Sequence, residues 1–116
     1  MDYEEIYNNC LTISTYLKDK TTNLNILDIS GKSELCKFMV FCSVSSEDIN
    51  KQLCTELSIF LKENNIDYYS IDGQIKGEWI VFDLQNIIIH IFSKDLQTKY
   101  NLEKLWKDNK TKVINI

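Results

Sequence analysis

The sequence predicts a mixed α/β (α+β) domain in which helices flank a mixed sheet of about five strands. Three observations predict this class: two stretches with the apolar spacing of amphipathic helices, several short runs of β-branched and aromatic residues, and a strand–helix–strand order in mid-chain. With 116 residues, of which 44% are hydrophobic and 26% charged, the chain has ordinary globular composition. We expect a single domain over residues 1–116.

The first half of the chain is predicted to form a helix, two strands and a second helix. Apolar residues at intervals of three and four predict a helix over residues 3–18, and residues 24–29 predict the first strand. Residues 38–44 form a near-continuous apolar run, typical of a central strand covered on both faces. Ser45 or Ser46 is a suitable N-cap for a long helix with Glu47 and Asp48 in its first turn.

A third strand is expected near residues 68–71, after the second helix ends at about residue 65. Because a strand, a helix and a strand follow one another here, the order predicts a right-handed crossover with parallel pairing between the second and third strands. Residues 72–77 then provide a flexible connection.

Residues 79–84 and 87–92 are predicted to form a hairpin around the two-residue loop Gln85-Asn86. This loop length makes one face wholly apolar, by pairing Leu84 with Ile87, Phe82 with Ile89 and Ile80 with Ile91. The other face pairs Asp83 with Ile88, Val81 with His90 and Trp79 with Phe92. We interpret that second face as a contact surface; the alternative is that the N-terminal helix covers it and that His90 is a structural core group.

The C-terminal part is predicted to close the fold with a helix over residues 100–107. Leu102, Leu105 and Trp106 are expected to turn inward, and Glu103 to face outward toward a Lys or Arg of a basic partner. Tyr100 is either a surface anchor or a packing residue. Residues 108–116 are expected to be a mobile tail.

Charge and cysteine content limit the kinds of partner. All 13 cationic residues are lysines and the net charge is −4, which disfavours direct nucleic-acid contact and favours a basic protein partner. The acidic N-terminus and the lack of a long apolar run predict a cytosolic protein with no membrane partner. Four cysteines without a C-x-x-C pair predict buried, reduced thiols, and their spacing gives no support to a zinc site with His90.

Five segments of the chain, taken in their order and spacing, resemble the ribosomal silencing factor family, also called RsfS, YbeB or Iojap. They are residues 27–33 (LDISGKS), 38–43 (FMVFCS), 77–83 (GEWIVFD), 87–92 (IIIHIF) and 100–106 (YNLEKLW). The resemblance extends over nearly the whole chain. The strand with its histidine and the closing helix are its most specific parts.

The resemblance implies a factor that binds the large ribosomal subunit through ribosomal protein uL-fourteen, blocks joining with the small subunit and so represses translation. It also implies a nucleotidyltransferase-like topology without catalysis, metal or cofactor, and a homodimer, since family members are often dimers. On this interpretation the partner-binding residues are expected to be Trp79, Asp83, His90, Phe92, Tyr100 and Glu103.

Five sites depart from the residues that are usual in the family. Lys37 stands where an acidic residue precedes the second strand, Val44 replaces a glycine, and Asp48-Ile49 replaces an Arg-Gln pair. Gln85-Asn86 replaces Gly-Asp in the hairpin, and Gln97 replaces an arginine before the closing helix. We expect the local contacts at the start of the long helix and at the hairpin turn to differ from those of the family.

Two other functions are alternatives to ribosome silencing. Gly31-Lys32-Ser33 resembles the turn of a nucleotidyltransferase, but residues 38–43 contain no acid that could hold a metal ion, so we expect no enzyme activity. The second alternative is a non-catalytic dimeric adaptor that does not bind ribosomes. Migration with large subunits on a sucrose gradient distinguishes the adaptor from the silencing factor.

Overall fold

The computed structural model describes residues 2–34, 36–93, 99, 101–104 and 111–116. Two long helices and six strands are delineated within these ranges. In chain order they are α1 (Tyr3–Lys18), β1 (Thr22–Asp28), β2 (Phe38–Val44), α2 (Glu47–Glu63), β3 (Ser70–Asp72), β4 (Trp79–Asp83), β5 (Ile87–Ser93) and β6 (Lys112–Ile114). Residues 99 and 101–104 are also helical, whereas the rest of the predicted closing helix lies outside the described residues.

The strands form one mixed sheet in the order β3-β4-β5-β2-β1-β6. The predicted fold class is confirmed, with a sixth strand added to the expected five. That strand, β6, pairs antiparallel with β1 and places Ile114 opposite Ile26. The expected mobile tail is therefore wrong for residues 112–114, because their backbone hydrogen-bonds to the outer edge of β1.

The predicted parallel pairing of the second and third strands is wrong. β3 pairs antiparallel with β4 at the edge of the sheet, and the parallel neighbour of β2 is β5, with Phe38 opposite Ile87 and Phe41 opposite His90. After α2 the chain runs to the sheet edge and returns inward through β4 and β5. The crossover between parallel strands thus contains α2, β3 and β4 rather than α2 alone.

Both helices begin at a side-chain cap. Asp2 accepts a hydrogen bond from the backbone N–H of Glu5 at 2.9 Å, and Ser46 accepts one from Ile49 at 3.2 Å. Each cap satisfies an N–H group that has no partner within its helix, and acidic residues in each first turn complement the helix dipole. Of the two predicted caps for α2, the structure uses Ser46.

Two hydrophobic clusters lie on opposite faces of the sheet. The larger one joins the buried stripes of α1 and α2 to the inward face of the sheet, including Ile80, Phe82, Ile89 and Ile91. The smaller one, on the other face, contains Leu27, Met39, Phe41 and Phe92, with Leu102 packed against it. Since α1 and α2 share the larger cluster, the opposite face of the β4–β5 hairpin is not covered by either of these helices.

The four cysteines, Cys10, Cys36, Cys42 and Cys54, are free and buried, as predicted. Burial raises the pKa of the Cys10 and Cys42 thiols to about 12 and that of Cys36 to about 11, so these groups stay protonated at neutral pH. None of the helices among the described residues is long and apolar enough to cross a lipid bilayer.

Candidate functional site

The register of the β4–β5 hairpin is the one that the two-residue loop predicts. Ile80 lies opposite Ile91 and Phe82 opposite Ile89, and all four side chains are fully buried beneath the helices. Gln85 adopts a left-handed backbone with φ of 69°, which lets the chain reverse within the short loop. The alternation of side chains then directs six residues to the other side, which we call the hairpin face: Trp79, Val81, Asp83, Ile88, His90 and Phe92.

Four rings form a stacked array across the hairpin face and the neighbouring strand β2. His90 stacks on Phe41 with centroids 4.9 Å apart, and Trp79 stacks on Phe92 at 5.5 Å and on His90 at 5.9 Å. We call Phe41, His90, Phe92 and Trp79 the aromatic ladder. Each such ring pair stabilises the fold by about 0.5–1.5 kcal/mol beyond the effect of the area it buries. The stacking therefore holds the four rings in fixed relative positions.

A hydrogen bond fixes the orientation of the Trp79 indole. Its Nε1–H donates to Nδ1 of His90 at 3.1 Å, which requires a neutral imidazole that carries its proton on Nε2. Burial lowers the pKa of His90 to about 4 and keeps the ring neutral at physiological pH. His90 Nε2 is buried and has no hydrogen-bond partner within the part of the chain that the structure describes.

The rings of the ladder differ in their access to solvent. Phe41 and Phe92 are fully buried and His90 is 8% exposed, whereas Trp79 at the end of the ladder is 39% exposed. Among the predicted partner-binding residues of the hairpin, Trp79 is thus the one whose side chain is accessible to another molecule. Phe92 and His90 are buried and stack against its indole. The other three residues of the hairpin face, Val81, Asp83 and Ile88, are half-buried.

Asp83 has a role in the hairpin turn. Its Oδ1 accepts a hydrogen bond from the backbone N–H of Gln85 at 2.8 Å and so holds the left-handed residue in place. Because a carboxylate has several acceptor sites, Asp83 can still receive a second donor from solvent or from a partner.

The expectation that Glu103 faces outward is wrong. Its side chain is only 7% exposed, accepts a hydrogen bond from Asn25 at 3.2 Å and lies 3.6 Å from the Nζ of buried Lys99. Lys99 in turn donates to the backbone carbonyl of Asn23 at 2.5 Å. These contacts join the helical segment to β1, so Glu103 is a structural residue. Tyr100, Leu105 and Trp106 lie outside the described residues.

Two residues that position Trp79 were missed at the level of sequence. The buried side chain of Asn50 in α2 donates from Nδ2 to the carbonyl oxygens of Gly77 and Ile91, both at 3.0 Å. Gly77 has a φ of 78°, and a Cβ there would lie 2.6 Å from the carbonyl oxygen of Glu47. The signal was an asparagine at a helix position where the apolar stripe would continue, but its partners become apparent only in three dimensions.

The surroundings of Trp79 are rich in carboxylates. Asp72 and Glu78 line a shallow groove of about 440 Å³ together with Trp79 and Ile75, which is 88% exposed. Asp72 also lies opposite Val81 in the sheet. Val81 is the neighbour of Trp79 on the same face of β4, so Asp72 shares that face. Lys76 is the one cation that lines this groove among the described residues. The exposed end of the ladder thus combines apolar surface with negative charge.

Asp28, the carboxylate that precedes the Gly31-Lys32-Ser33 turn, has a structural role. Tyr3 donates to Oδ2 of Asp28 at 2.5 Å, and Ser30 donates to Oδ1 from its backbone N–H and its hydroxyl. Burial acts to raise the pKa of Asp28, but these hydrogen bonds outweigh it and the pKa is lowered. The same contact raises the pKa of Tyr3 to about 12. Both oxygens of Asp28 therefore already bind protein donors.

Comparison with known proteins places the chain in a family. Residues 4–116 match the family model described as ribosomal silencing factor during starvation, RsfS. The chain belongs to the ribosomal silencing factor family. The ribosomal silencing factor of Halalkalibacterium halodurans is 30% identical over 101 residues, which are 87% of this chain and 86% of that protein. The one from Bacillus subtilis is 32% identical over 82 residues, 71% of this chain and 70% of that protein.

Solved structures of similar fold agree with this membership in the silencing factor family. A crystal structure from Bacillus halodurans superposes with a TM-score of 0.78 at 26% identity and covers 94% of this chain and 99% of its own. An X-ray structure from Chromobacterium violaceum gives a TM-score of 0.77 at 25% identity, with 91% and 87% covered. These two matches show that the fold of the chain is shared with both solved structures over most of its length.

Proposed function

We propose that this silencing factor binds the large ribosomal subunit through ribosomal protein uL-fourteen and prevents the small subunit from joining. The observation that carries the proposal is the exposed indole of Trp79, which the aromatic ladder and the His90 hydrogen bond hold in one orientation on the hairpin face. Preorganised aromatic side chains of this kind dominate the energetics of protein interfaces, because they bury a large area at small entropic cost.

Charge supports a basic protein as the partner. The chain carries a net charge of −4, Asp72 and Glu78 line the groove beside the exposed indole, and Asp83 lies on the same face at the other end of the hairpin. Opposite charges across an interface speed association and select the partner, even where they add little affinity. A lysine- or arginine-rich surface of a ribosomal protein fits this face.

Steric occlusion is the mechanism that this geometry supports. A standard protein interface takes roughly 800 Å² from each partner, and the chain exposes 6982 Å² in total. Most of the bound factor therefore projects from the subunit surface into space that the small subunit needs. No covalent step is involved, and the hydrogen bonds that Asp28 accepts from Tyr3 and Ser30 support a non-catalytic role.

Co-sedimentation with purified ribosomal subunits tests the proposal. We expect wild-type protein to pellet with the large subunit and not with the small one, and we expect Trp79→Ala to bind at least about tenfold more weakly, the cost of a typical interface anchor. Ile59→Ala is the matched control, since Ile59 is an exposed apolar residue of α2 on the other side of the sheet.

Two results would contradict the proposal. If wild-type protein fails to pellet with large subunits while it forms dimers in solution, the adaptor function becomes the better explanation. If Trp79→Ala and Ile59→Ala bind as wild type does, the hairpin face is not the docking surface.

A further inference from the structure

A cavity of about 380 Å³ lies on the helix side of the sheet, away from the hairpin face. It opens between the first turns of α1, the connection from α2 to β3 and the turn of the β4–β5 hairpin. Its lining includes Ile6 of α1, Asn65 and Tyr68 of the connection, and Gln85, Asn86 and Ile87 of the hairpin turn. The volume is within the range of pockets that hold small organic molecules.

The chemistry of the lining is unusual in its number of carboxamides. Asn65, Gln85 and Asn86 all line the cavity, and within the described part of the chain their side-chain amides form no hydrogen bond to a protein group. Each amide offers two donors and one acceptor oxygen side by side. Buried Ile6, Ile66 and Ile87 provide an apolar floor beneath them.

Two of the amide residues hold an unfavourable backbone conformation. Three non-glycine residues have positive φ among the described residues, and two of them, Asn65 at 56° and Gln85 at 69°, line this cavity. Such a conformation is unfavourable for residues other than glycine, and residues of this kind cluster at ligand sites. Asparagine tolerates this conformation through local side-chain hydrogen bonds, whereas Gln85 adopts it within the two-residue hairpin turn, where Asp83 holds it.

Aromatic rings and charge define the class of ligand. Tyr68 and Tyr69 stand at the rim, 43% and 73% exposed, and the edge of Tyr68 rests on buried Phe82. Rings of this kind stack with planar heterocycles. Asp67 is the charged residue of the lining, and neither lysine nor arginine is among the lining residues. An anionic ligand would therefore lack a counter-charge here.

We propose that this cavity binds an uncharged nucleoside, with the base between the tyrosine rim and the isoleucine floor. The carboxamides of Asn65, Gln85 and Asn86 would then pair with the donor and acceptor groups along the edge of the base, and the Asp67 carboxylate would accept from ribose hydroxyls. The cavity and Trp79, the proposed ribosome anchor, lie on opposite faces of the sheet, and the hydrogen bond from Gln85 to Asp83 is the contact that links the two sites.

Titration of ¹⁵N-labelled full-length protein with adenosine, guanosine, cytidine and uridine tests this proposal. We expect at least one nucleoside to shift the backbone amides of residues 65–69 and 84–87 in a saturable way. Its 5′-monophosphate should bind more weakly, because Asp67 repels the phosphate. Gln85→Gly and Asn65→Gly keep the backbone conformation while removing the amide, and each should weaken binding about tenfold.

Asn23→Gly is the matched control, since Asn23 is the third residue of positive φ and lies outside the cavity. It should leave nucleoside binding unchanged. The proposal is overturned if none of the four nucleosides causes saturable shifts at millimolar concentration. Shifts that survive both Gln85→Gly and Asn65→Gly, or a monophosphate that binds more tightly than its nucleoside, would overturn it as well.

Discussion

At the scale of single residues, His90 links the buried and exposed parts of the hairpin face. Its ring stacks on Phe41 below, contacts the Trp79 indole beside it and accepts the indole N–H through Nδ1. A protonated imidazole would lose that acceptor and place a charge among aromatic rings. The structure therefore depends on a neutral His90, in line with a pKa lowered to about 4 by burial.

The His90→Phe variant tests this dependence through pH. A histidine whose pKa is lowered in the folded state supports stability fully above its unfolded pKa of about 6.5. That support decreases as the pH falls from about 6.5 toward 4. Since His90 is the only histidine in the chain, His90→Phe should flatten this part of the stability profile.

Urea unfolding at pH 7.0, 5.5 and 4.5 provides the measurement. At pH 7 the variant should differ from wild type by about 1 kcal/mol or less, because the ring stack is kept and a buried polar atom is removed. Carboxylate titration affects both proteins alike. Equal losses of stability in wild type and variant between pH 7.0 and 4.5 would show that His90 is not buried as described.

At the scale of elements, the contact between α2 and the segment before β4 determines where Trp79 lies. Asn50 bridges α2 to Gly77 and to β5, and the positive φ of Gly77 lets the segment approach the helix closely. Asn50 and α2 thus fix the start of β4 from the helix side of the sheet, while Trp79 faces the opposite side.

The Asn50→Ala variant should reveal this bridge. Loss of two hydrogen bonds at a buried position leaves two carbonyl oxygens without that donor and should cost about 2 kcal/mol in the free energy of unfolding. Large-subunit binding should weaken as well, since Trp79 follows Gly77 by two residues. Gln52→Ala, at an exposed position of the same helix, should change neither quantity. Unchanged stability of Asn50→Ala in urea titration would contradict the bridge.

Elements with strong local signals were predicted well from sequence. The hairpin register follows from the period-two alternation and the two-residue loop, both of which are local. β3 was misplaced because it is a three-residue edge strand whose pairing depends on a return of the chain from the sheet edge. Glu103 was misassigned for a similar reason, since its partner Asn25 is 78 residues away.

At the scale of the whole molecule, the C-terminus completes the sheet. β6 covers the outer edge of β1, half-buried Ile114 packs against the larger hydrophobic cluster, and Lys18 donates to the backbone carbonyl of Ile116 at 2.9 Å. The sequence predicts a mobile tail here because three residues beside lysines and asparagines carry no strand signal by themselves. Only the free edge of β1 makes their pairing favourable.

Deletion of residues 112–116 tests this closing role. The shortened chain should lose about 1–3 kcal/mol of stability, through the hydrogen bonds of β6 and the burial of Ile114. It should also self-associate more strongly, since the edge of β1 becomes free. Val113→Ala, at a side chain that is 51% exposed, should behave as wild type. Calorimetry and sedimentation velocity measure both effects, and a deletion variant as stable and as monodisperse as wild type would contradict them.

The central claim is that Trp79 on the hairpin face docks this silencing factor on the large subunit and so keeps the small subunit away. The most direct measurement is the light-scattering rate of subunit joining, with wild-type protein and with folded Trp79→Ala added to large subunits beforehand. We expect wild type to suppress joining and Trp79→Ala to suppress it only at about tenfold higher concentration. Equal suppression by both proteins, or joining that wild type leaves unchanged at micromolar concentration, would contradict the claim.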